Sequence, residues 1–135
     1  MVEALAGVGL TAEETPPDVP ADLLVAGRSG RSAVVRLLAA AAPHHRGGRG
    51  SLGLHWMLPD TAAEFVAVVD LSRRQGWLIP TADFRARAQP VSGGRFHLDW
   101  IVVPLGRTRA RVPDEHEFEE YAFERALAEL AHRLA

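Results

Sequence analysis

The most apolar stretch of this 135-residue chain runs from Glu64 to Leu71, with the sequence Glu-Phe-Val-Ala-Val-Val-Asp-Leu. A short continuous run of apolar residues, rich in valine, is typical of a strand that is buried on both faces of a sheet. We therefore predict a central buried strand in this segment. The rest of the chain has to supply the strands that pair with it.

Shorter apolar segments on both sides of this run predict the other strands. Each is rich in aliphatic or aromatic residues and is bounded by glycine, proline or aspartate, which favour turns. The turn Gly27–Gly30 joins the first two strands into a hairpin. The predicted strands are Ala21–Ala26, Ser32–Ala40, Leu52–Leu58, Trp77–Pro80 and Arg95–Val103.

Helices are predicted in three places. Val2–Leu10 favours a short helix, and Thr81–Ala88 favours a brief helix that Thr81 can cap. From Pro113 onward we predict a long amphipathic helix, because acidic residues fill its first turn and an apolar stripe follows at four-three-four spacing. The stripe consists of Phe123, Leu127, Leu130 and Leu134.

These elements predict an α+β fold, with residues 1–135 forming a single domain. The expected architecture is a single mixed β-sheet of about six strands, a short N-terminal helix, a small central helix and a long C-terminal amphipathic helix. A proline-rich linker at 15–20 and an exposed, basic, glycine-rich loop at 43–50 separate the elements. The three tryptophans are expected in the core or an interface, not as platforms for stacked bases.

The composition excludes several classes of chemistry. All fifteen Lys+Arg residues are arginine, which excludes P-loop lysines, Schiff bases and a lysine general base. The absence of cysteine excludes disulfides, thiolate zinc sites and cysteine nucleophiles. No apolar run approaches the roughly 18 residues of a membrane span, and the N-terminus lacks a secretory pattern, so we expect a cytoplasmic protein with no membrane partner. Because GC-rich genes favour arginine codons, the missing lysine need not reflect function.

Charge is distributed unevenly along the chain. Residues 28–111 hold thirteen arginines and five acidic residues, for a formal charge of +8, whereas 1–22 and 112–135 carry −5 each. A basic middle segment is compatible with an anionic partner such as DNA or RNA. Alternatively, the acidic ends neutralise the arginines within the monomer.

Four segments resemble a known group of nucleases. Pro20–Val25 places Asp22 on a strand, Ser32–Leu37 follows as the second strand of a hairpin, and Phe65–Asp70 precedes Trp77–Pro80 and a short helix. This order resembles the PD-(D/E)XK nuclease-like superfamily, especially small members related to intron-associated and restriction-type endonucleases. The resemblance covers most of residues 1–88 and leaves the final helix unassigned.

The resemblance implies a metal-dependent site on the hairpin. In that superfamily, two carboxylates hold a divalent metal and a lysine orients the nucleophile. Asp22 matches the first carboxylate, whereas Val34 stands at the second acidic position and Arg36 at the lysine position. Valine cannot ligate a metal, and arginine keeps its charge but cannot act as a base. We therefore expect a degenerate catalytic site at Asp22 and Arg36, unless Glu3 or Glu14 supplies the missing acid.

The best candidate for an anion-binding surface is arginine-rich. Residues 23–59 contain five arginines and no acidic residue, and guanidinium groups suit bidentate contacts with phosphate. The turn 27–31 could also cradle a phosphate through its backbone N–H groups, although a plain hairpin turn is the commoner use of such a sequence. The candidate residues for binding nucleic acid are Arg28, Arg31, Arg46 and Arg49, with Arg36 beside them.

Histidines provide a separate signal. His97 and Asp99 share one face of a strand, and His55 lies on another strand, so the three could in principle bind zinc. The favoured alternative is a solvent-facing polar pair, and no metal site is predicted. The adjacent His44 and His45 in the basic loop are at best a weak metal site.

Three functions remain open. The leading hypothesis is a catalytically degenerate, nuclease-like binding module without a cofactor, in contact with nucleic acid through its arginines. The second is a DNA endonuclease that uses Mg²⁺, Asp22 and a relocated acid. The third is a small accessory or immunity-type protein that binds another protein through its acidic C-terminal helix.

Overall fold

The structure is a computed structural model, and the residues it describes are 7, 9–14, 23–46, 51–103 and 115–135. Within these ranges the side chains of Glu14, 44–46, Ser51, 101–103 and 115–116 are not described. Most of the predicted helix Val2–Leu10 lies outside the described residues, and so does Asp22.

Five strands form the first sheet, which we call sheet A, in the spatial order β1-β2-β3-β6-β7. Strands β3 and β6 pair in parallel, and the other neighbours pair antiparallel. The predicted central strand, β6, therefore lies between two other strands, β3 and β7. The strands of sheet A are β1 (Thr11–Glu14), β2 (Leu23–Ala26), β3 (Ser32–Ala40), β6 (Phe65–Asp70) and β7 (Gln75–Pro80).

Four further strands form sheet B, which is antiparallel throughout and has the order β4-β5-β9-β8. Its two long strands pair along most of their length, from Leu52 with Val103 to Leu58 with Phe96. The strands of sheet B are β4 (His44–Arg46), β5 (Ser51–Leu58), β8 (Gln89–Val91) and β9 (Arg95–Val103).

Two α-helices and two 3-10 helices complete the described part of the chain. They are α1 (Thr81–Arg87), a 3-10 turn (Ser92–Gly94), a 3-10 helix (Glu115–Tyr121) and α2 (Phe123–Arg133). In the ranges that the structure describes, no helix is long and apolar enough to cross a membrane.

Sheet A is covered on both faces. One face packs against α2, and the buried residues of that layer include Val35, Phe65, Ala67, Leu78, Leu127 and Leu130. The other face packs against the inner face of sheet B, and the buried residues of that layer include Leu54, Trp56, Leu58, Val66, Val68, Ile79, Leu98 and Trp100. All three tryptophans lie in this second core, as predicted.

The α+β class is confirmed, but the strands form two sheets instead of the expected single sheet of about six strands. The cause is the difference between β6, which is apolar on both faces, and β5, which alternates buried Leu54 and Trp56 with exposed His55 and Met57. An alternating strand can bury only one face. It therefore pairs in a second sheet, whose apolar face covers sheet A.

The long C-terminal helix is interrupted. A 3-10 helix ends at Tyr121, Ala122 is extended (φ −54°, ψ 141°), and α2 begins at Phe123. Ala122 forms a backbone bridge with Trp77, and the fully buried Phe118 stacks on Trp100 with ring centroids 4.3 Å apart. These contacts anchor the segment to β7 and β9, which a continuous amphipathic helix would not do.

Thr81 was predicted to cap α1, and this prediction is wrong. Pro80 occupies the N-cap position, and no side chain caps the helix there. The hydroxyl of Thr81 instead donates a hydrogen bond to the Ala63 carbonyl at 2.8 Å, and Thr81 is buried. Thr81 thus joins α1 to the segment that leads into β6.

Candidate nucleic-acid interface

The β2–β3 hairpin places the residues that the sequence singles out. Leu24 pairs with Val34 and Leu23 pairs with Val35, and Asp22 directly precedes this described segment. Val34, which stands at the second acidic position of the resemblance, is half-buried.

Arg36 lies in the middle of β3 and is half-buried. Its backbone pairs with Val66 of the central strand. Because side chains alternate along a strand, Arg36 is on the same face as Leu38, which packs against the core shared with sheet B. The lysine position of the resemblance therefore holds a permanent cation next to an apolar layer.

The turn 27–31 uses its backbone donors internally. Gly27 donates to the Arg31 carbonyl at 2.9 Å, Gly30 donates to the Gly27 carbonyl at 3.2 Å, and the Arg31 N–H reaches the Ser29 hydroxyl at 3.4 Å. Gly30 has φ +86°, which favours glycine. These three N–H groups already have acceptors, which favours the plain turn over a backbone phosphate cradle.

The same turn is fastened to the C-terminus of the chain. The Ser29 hydroxyl donates to the Leu134 carbonyl at 2.6 Å. A Cβ atom at Gly27 would lie 2.4 Å from that carbonyl oxygen, so the two backbones approach as closely as glycine permits. No sequence signal predicts this contact, because its partners are 105 residues apart.

The turn can still contact an anion through the guanidinium groups of its two arginines. Arg28 and Arg31 are both exposed. The Arg28 guanidinium packs over Gly9, where an added Cβ would lie 2.9 Å from Nε. Arg46 is described only in its backbone, which pairs with Ser51, and Arg49 lies outside the described residues. The structure thus shows two of the predicted arginines on one exposed turn.

His55, His97 and Asp99 come together on the outer face of sheet B. His97 Nε2 lies 3.0 Å from Asp99 Oδ1 and 3.0 Å from His55 Nδ1, and His55 Nδ1 also contacts Asp99 Oδ1. The predicted solvent-facing His97–Asp99 pair is therefore present, and the third residue joins it.

A cleft of about 250 Å³ lies between α2, the 3-10 helix that precedes it and β7. The Tyr121 hydroxyl, on one wall, donates to Asp83 Oδ2 at 3.0 Å. Burial raises the pKa of Tyr121, and the hydrogen bond to the Asp83 carboxylate raises it further. Acidic residues dominate the polar lining, with Asp83, Glu120 and Glu129 against Arg133. This cleft does not suit an anionic partner and was not predicted.

The fold is similar to that of a nuclease. No protein-family model matches the sequence, and no curated protein matches it. Among solved structures, the chain is similar to a bacterial homing endonuclease, I-Ssp6803I, with a TM-score of 0.57 and 12% sequence identity. The similarity covers 98% of this chain and 83% of that chain. At this level of identity the likeness concerns the fold alone, and the chain has a nuclease-like fold.

Proposed function

We propose that this chain is a catalytically degenerate member of the PD-(D/E)XK nuclease-like superfamily, and that it binds nucleic acid through the arginine surface of its β2–β3 hairpin. The nuclease-like fold supports the proposal. The observation that carries it is Val34, a half-buried hydrocarbon side chain at the position where these nucleases need their second carboxylate.

The loss of catalysis follows from coordination chemistry. A single carboxylate is a poor site for the divalent metal that activates water on a phosphodiester. With Val34 and Arg36 on β3, that strand supplies neither a ligand nor a titratable base. Binding of nucleic acid requires no metal, because a guanidinium group pairs directly with a backbone phosphate.

The binding surface is proposed around the exposed turn. Arg28 and Arg31 face solvent there. We include Arg36, Arg46 and Arg49 in the proposed surface because residues 23–59 carry five arginines and no acidic residue. Such a surface contacts phosphates and not base edges, so we expect binding that depends weakly on sequence and steeply on salt.

The test is a titration of fluorescently labelled duplex DNA of about 20 base pairs at several salt concentrations. We expect the slope of log K against log salt to fall by about 2 in Arg28→Ala/Arg31→Ala, because two phosphate contacts are removed. The matched control is Arg125→Ala, an exposed arginine on α2, which should bind like the wild type.

Absence of binding to both duplex DNA and duplex RNA at low salt contradicts the proposal, and so does an equal loss in the control variant. A duplex RNA of the same length, titrated in parallel, identifies the nucleic acid. If neither is bound, a protein partner for the acidic C-terminal segment becomes the favoured hypothesis.

One contact favours a second function, a Mg²⁺-dependent endonuclease with a relocated acid. The Glu64 N–H donates to the Val34 carbonyl at 2.9 Å, and the Glu64 side chain is exposed. A carboxylate is therefore available on the chain segment next to the second acidic position. With Asp22 it would supply two carboxylate ligands for Mg²⁺, and water and phosphate oxygens would fill the other octahedral positions.

Cleavage of supercoiled plasmid DNA in the presence of Mg²⁺ separates the two functions. Cleavage that is lost in both Asp22→Asn and Glu64→Gln, and kept in Glu124→Gln, would establish the endonuclease and overturn the degenerate site. Salt-dependent binding without cleavage supports the binding module.

A further inference from the structure

The outer face of sheet B brings together three groups that the hairpin function does not use. His55 on β5 lies directly opposite Asp99 on β9, and His97 precedes Asp99 by two residues on the same strand. Directly opposed and diagonal neighbours on one face of an antiparallel pair are within side-chain reach. The register of β5 and β9 therefore decides that the three side chains meet.

The backbone that carries these groups is held by the core. Their neighbours Trp56, Leu98 and Trp100 point to the other side of the sheet and are at most 2% exposed. A strand whose alternate residues are packed in this way has little freedom to shift its outward side chains. The cluster is thus fixed by rigid elements, which is what a binding site requires.

Hydrogen bonding leaves one contact of the cluster unaccounted for: both imidazoles can donate to Asp99 Oδ1, which has two lone pairs, but the two donating nitrogens then lie 3.0 Å from each other. His55 Nδ1 contacts both His97 Nε2, at 3.0 Å, and Asp99 Oδ1, and His97 Nε2 lies 3.0 Å from the same oxygen. Each imidazole nitrogen has one proton or one lone pair in its ring plane, so it can direct only one good hydrogen bond. A cation bound by all three atoms at once would stabilise this triangle better than hydrogen bonds do.

The spacing fits a metal ion. Nitrogen and oxygen ligands about 2.1 Å from an ion, at angles of about 90 to 110°, lie about 3.0 to 3.4 Å from one another. The two distances of 3.0 Å in the cluster match the lower end of this range. The His55 Nδ1–Asp99 Oδ1 pair is closer than this range, so these two side chains would separate when an ion enters.

We propose that His55, His97 and Asp99 bind a divalent transition-metal ion of the zinc class on the outer face of sheet B. Two imidazole nitrogens and one carboxylate suit zinc and other first-row transition metals such as copper and nickel, whereas Mg²⁺ prefers oxygen ligands alone. This proposal differs from the sequence prediction of no metal site, because the distances between the two strands cannot be read from the sequence.

The remaining coordination position is open to solvent. The His55 side chain is 49% exposed and the other two are 22 to 28% exposed. Three protein ligands with an accessible fourth position leave room for a water molecule or for a ligand atom from a partner. The proposal does not depend on the function of the β2–β3 hairpin, which belongs to sheet A.

The test uses zinc itself as the probe. Isothermal titration calorimetry of the metal-free full chain with zinc should show one tight site. The zinc affinity should fall by at least about 100-fold in His97→Ala and in Asp99→Asn, because losing a group that only hydrogen-bonds to a metal ligand already lowers metal affinity by about 10- to 100-fold. Titration with cobalt should give visible absorption bands in the wild type that both variants lose. Magnesium should not compete.

Two control variants separate this site from other histidines. His132→Ala removes an exposed histidine of α2, and His44→Ala/His45→Ala removes the adjacent pair of β4. Both should bind zinc like the wild type, with circular dichroism confirming that every variant is folded. If the wild type takes up no zinc, or if His44→Ala/His45→Ala loses binding while His97→Ala keeps it, the proposed site is wrong.

Discussion

Replacement of the buried Asp70 at the end of the central strand should destabilise the fold in a pH-dependent manner. Asp70 is fully buried. Its Oδ1 accepts hydrogen bonds from the Ser72 hydroxyl at 2.8 Å and the Ser72 N–H at 3.1 Å, and its Oδ2 accepts one from Arg73 Nε at 2.5 Å. This carboxylate therefore closes the turn between β6 and β7.

The size of the effect follows from which contacts Asp70→Asn removes. The asparagine oxygen can still accept the bonds from Ser72, but the amide group meets the Arg73 guanidinium with donors instead of an acceptor. A hydrogen bond to a charged group contributes roughly 1.5 to 3 kcal/mol. Because the Arg73 side chain is 29% exposed, solvent screening reduces the value. We expect a loss of about 2 kcal/mol in the free energy of unfolding at pH 7.

The pH dependence has a definite sign. Burial raises the pKa of Asp70, but the hydrogen bonds from Arg73 and Ser72 and the Arg73 charge outweigh it and hold the pKa below the ordinary value of 3.8. A carboxyl group with a lowered pKa in the folded state stabilises the fold above its unfolded pKa and loses that contribution as pH falls through the folded pKa. The difference between wild type and Asp70→Asn should be constant from pH 5 to 8, by this argument, and should shrink below about pH 4.

The assay is urea unfolding followed by the fluorescence of the three buried tryptophans at several pH values. Asp60→Asn, at an exposed aspartate, is the matched control and should change stability by less than about 0.5 kcal/mol. A loss in Asp70→Asn no larger than that of the control, or a loss that stays the same at pH 3, would refute the reasoning.

Two further predictions concern the C-terminal segment. Gly27→Ala should lower the free energy of unfolding by about 1 to 3 kcal/mol, because its Cβ would lie 2.4 Å from the Leu134 carbonyl oxygen; Gly7→Ala, which meets nothing within 4 Å, is the control in the same urea assay. Tyr121 is the only tyrosine, so the ultraviolet titration of phenolate should show a single midpoint above the usual 10.0. Asp83→Asn should lower that midpoint, and an unchanged midpoint would contradict the assigned hydrogen bond.

Much of the secondary structure could be predicted because its signals are local. The segment 64–71 contains β6, and Ser32–Ala40 and Arg95–Val103 match β3 and β9 at both ends. The strands that were not predicted, β1, β4 and β8, have three or four residues each. Such short strands carry too little alternation to be distinguished from loops, and they form because a longer neighbour offers hydrogen bonds.

Whether a candidate site could be predicted also depends on whether its residues are close together in the sequence. The turn with Arg28 and Arg31 was predicted because a hairpin is a local structure. The proximity of His55 to His97 and Asp99 depends on the register between β5 and β9, and the contact of Glu64 with Val34 depends on the pairing of β3 with β6. Glu64 was assigned to the edge of the apolar run, and its place beside the hairpin has no signal in the spacing of residues.

Amino-acid order alone determined the α+β class, the buried central strand and the absence of an acid-x-lysine triplet, since each depends on residue types at short spacing. The tertiary structure decided that there are two sheets, that Ala122 interrupts the last helix and that two histidines meet one aspartate. These features depend on which faces pack together and on strand register. Both are set by contacts between residues far apart in the chain, where a shift of one residue would turn every side chain to the opposite face.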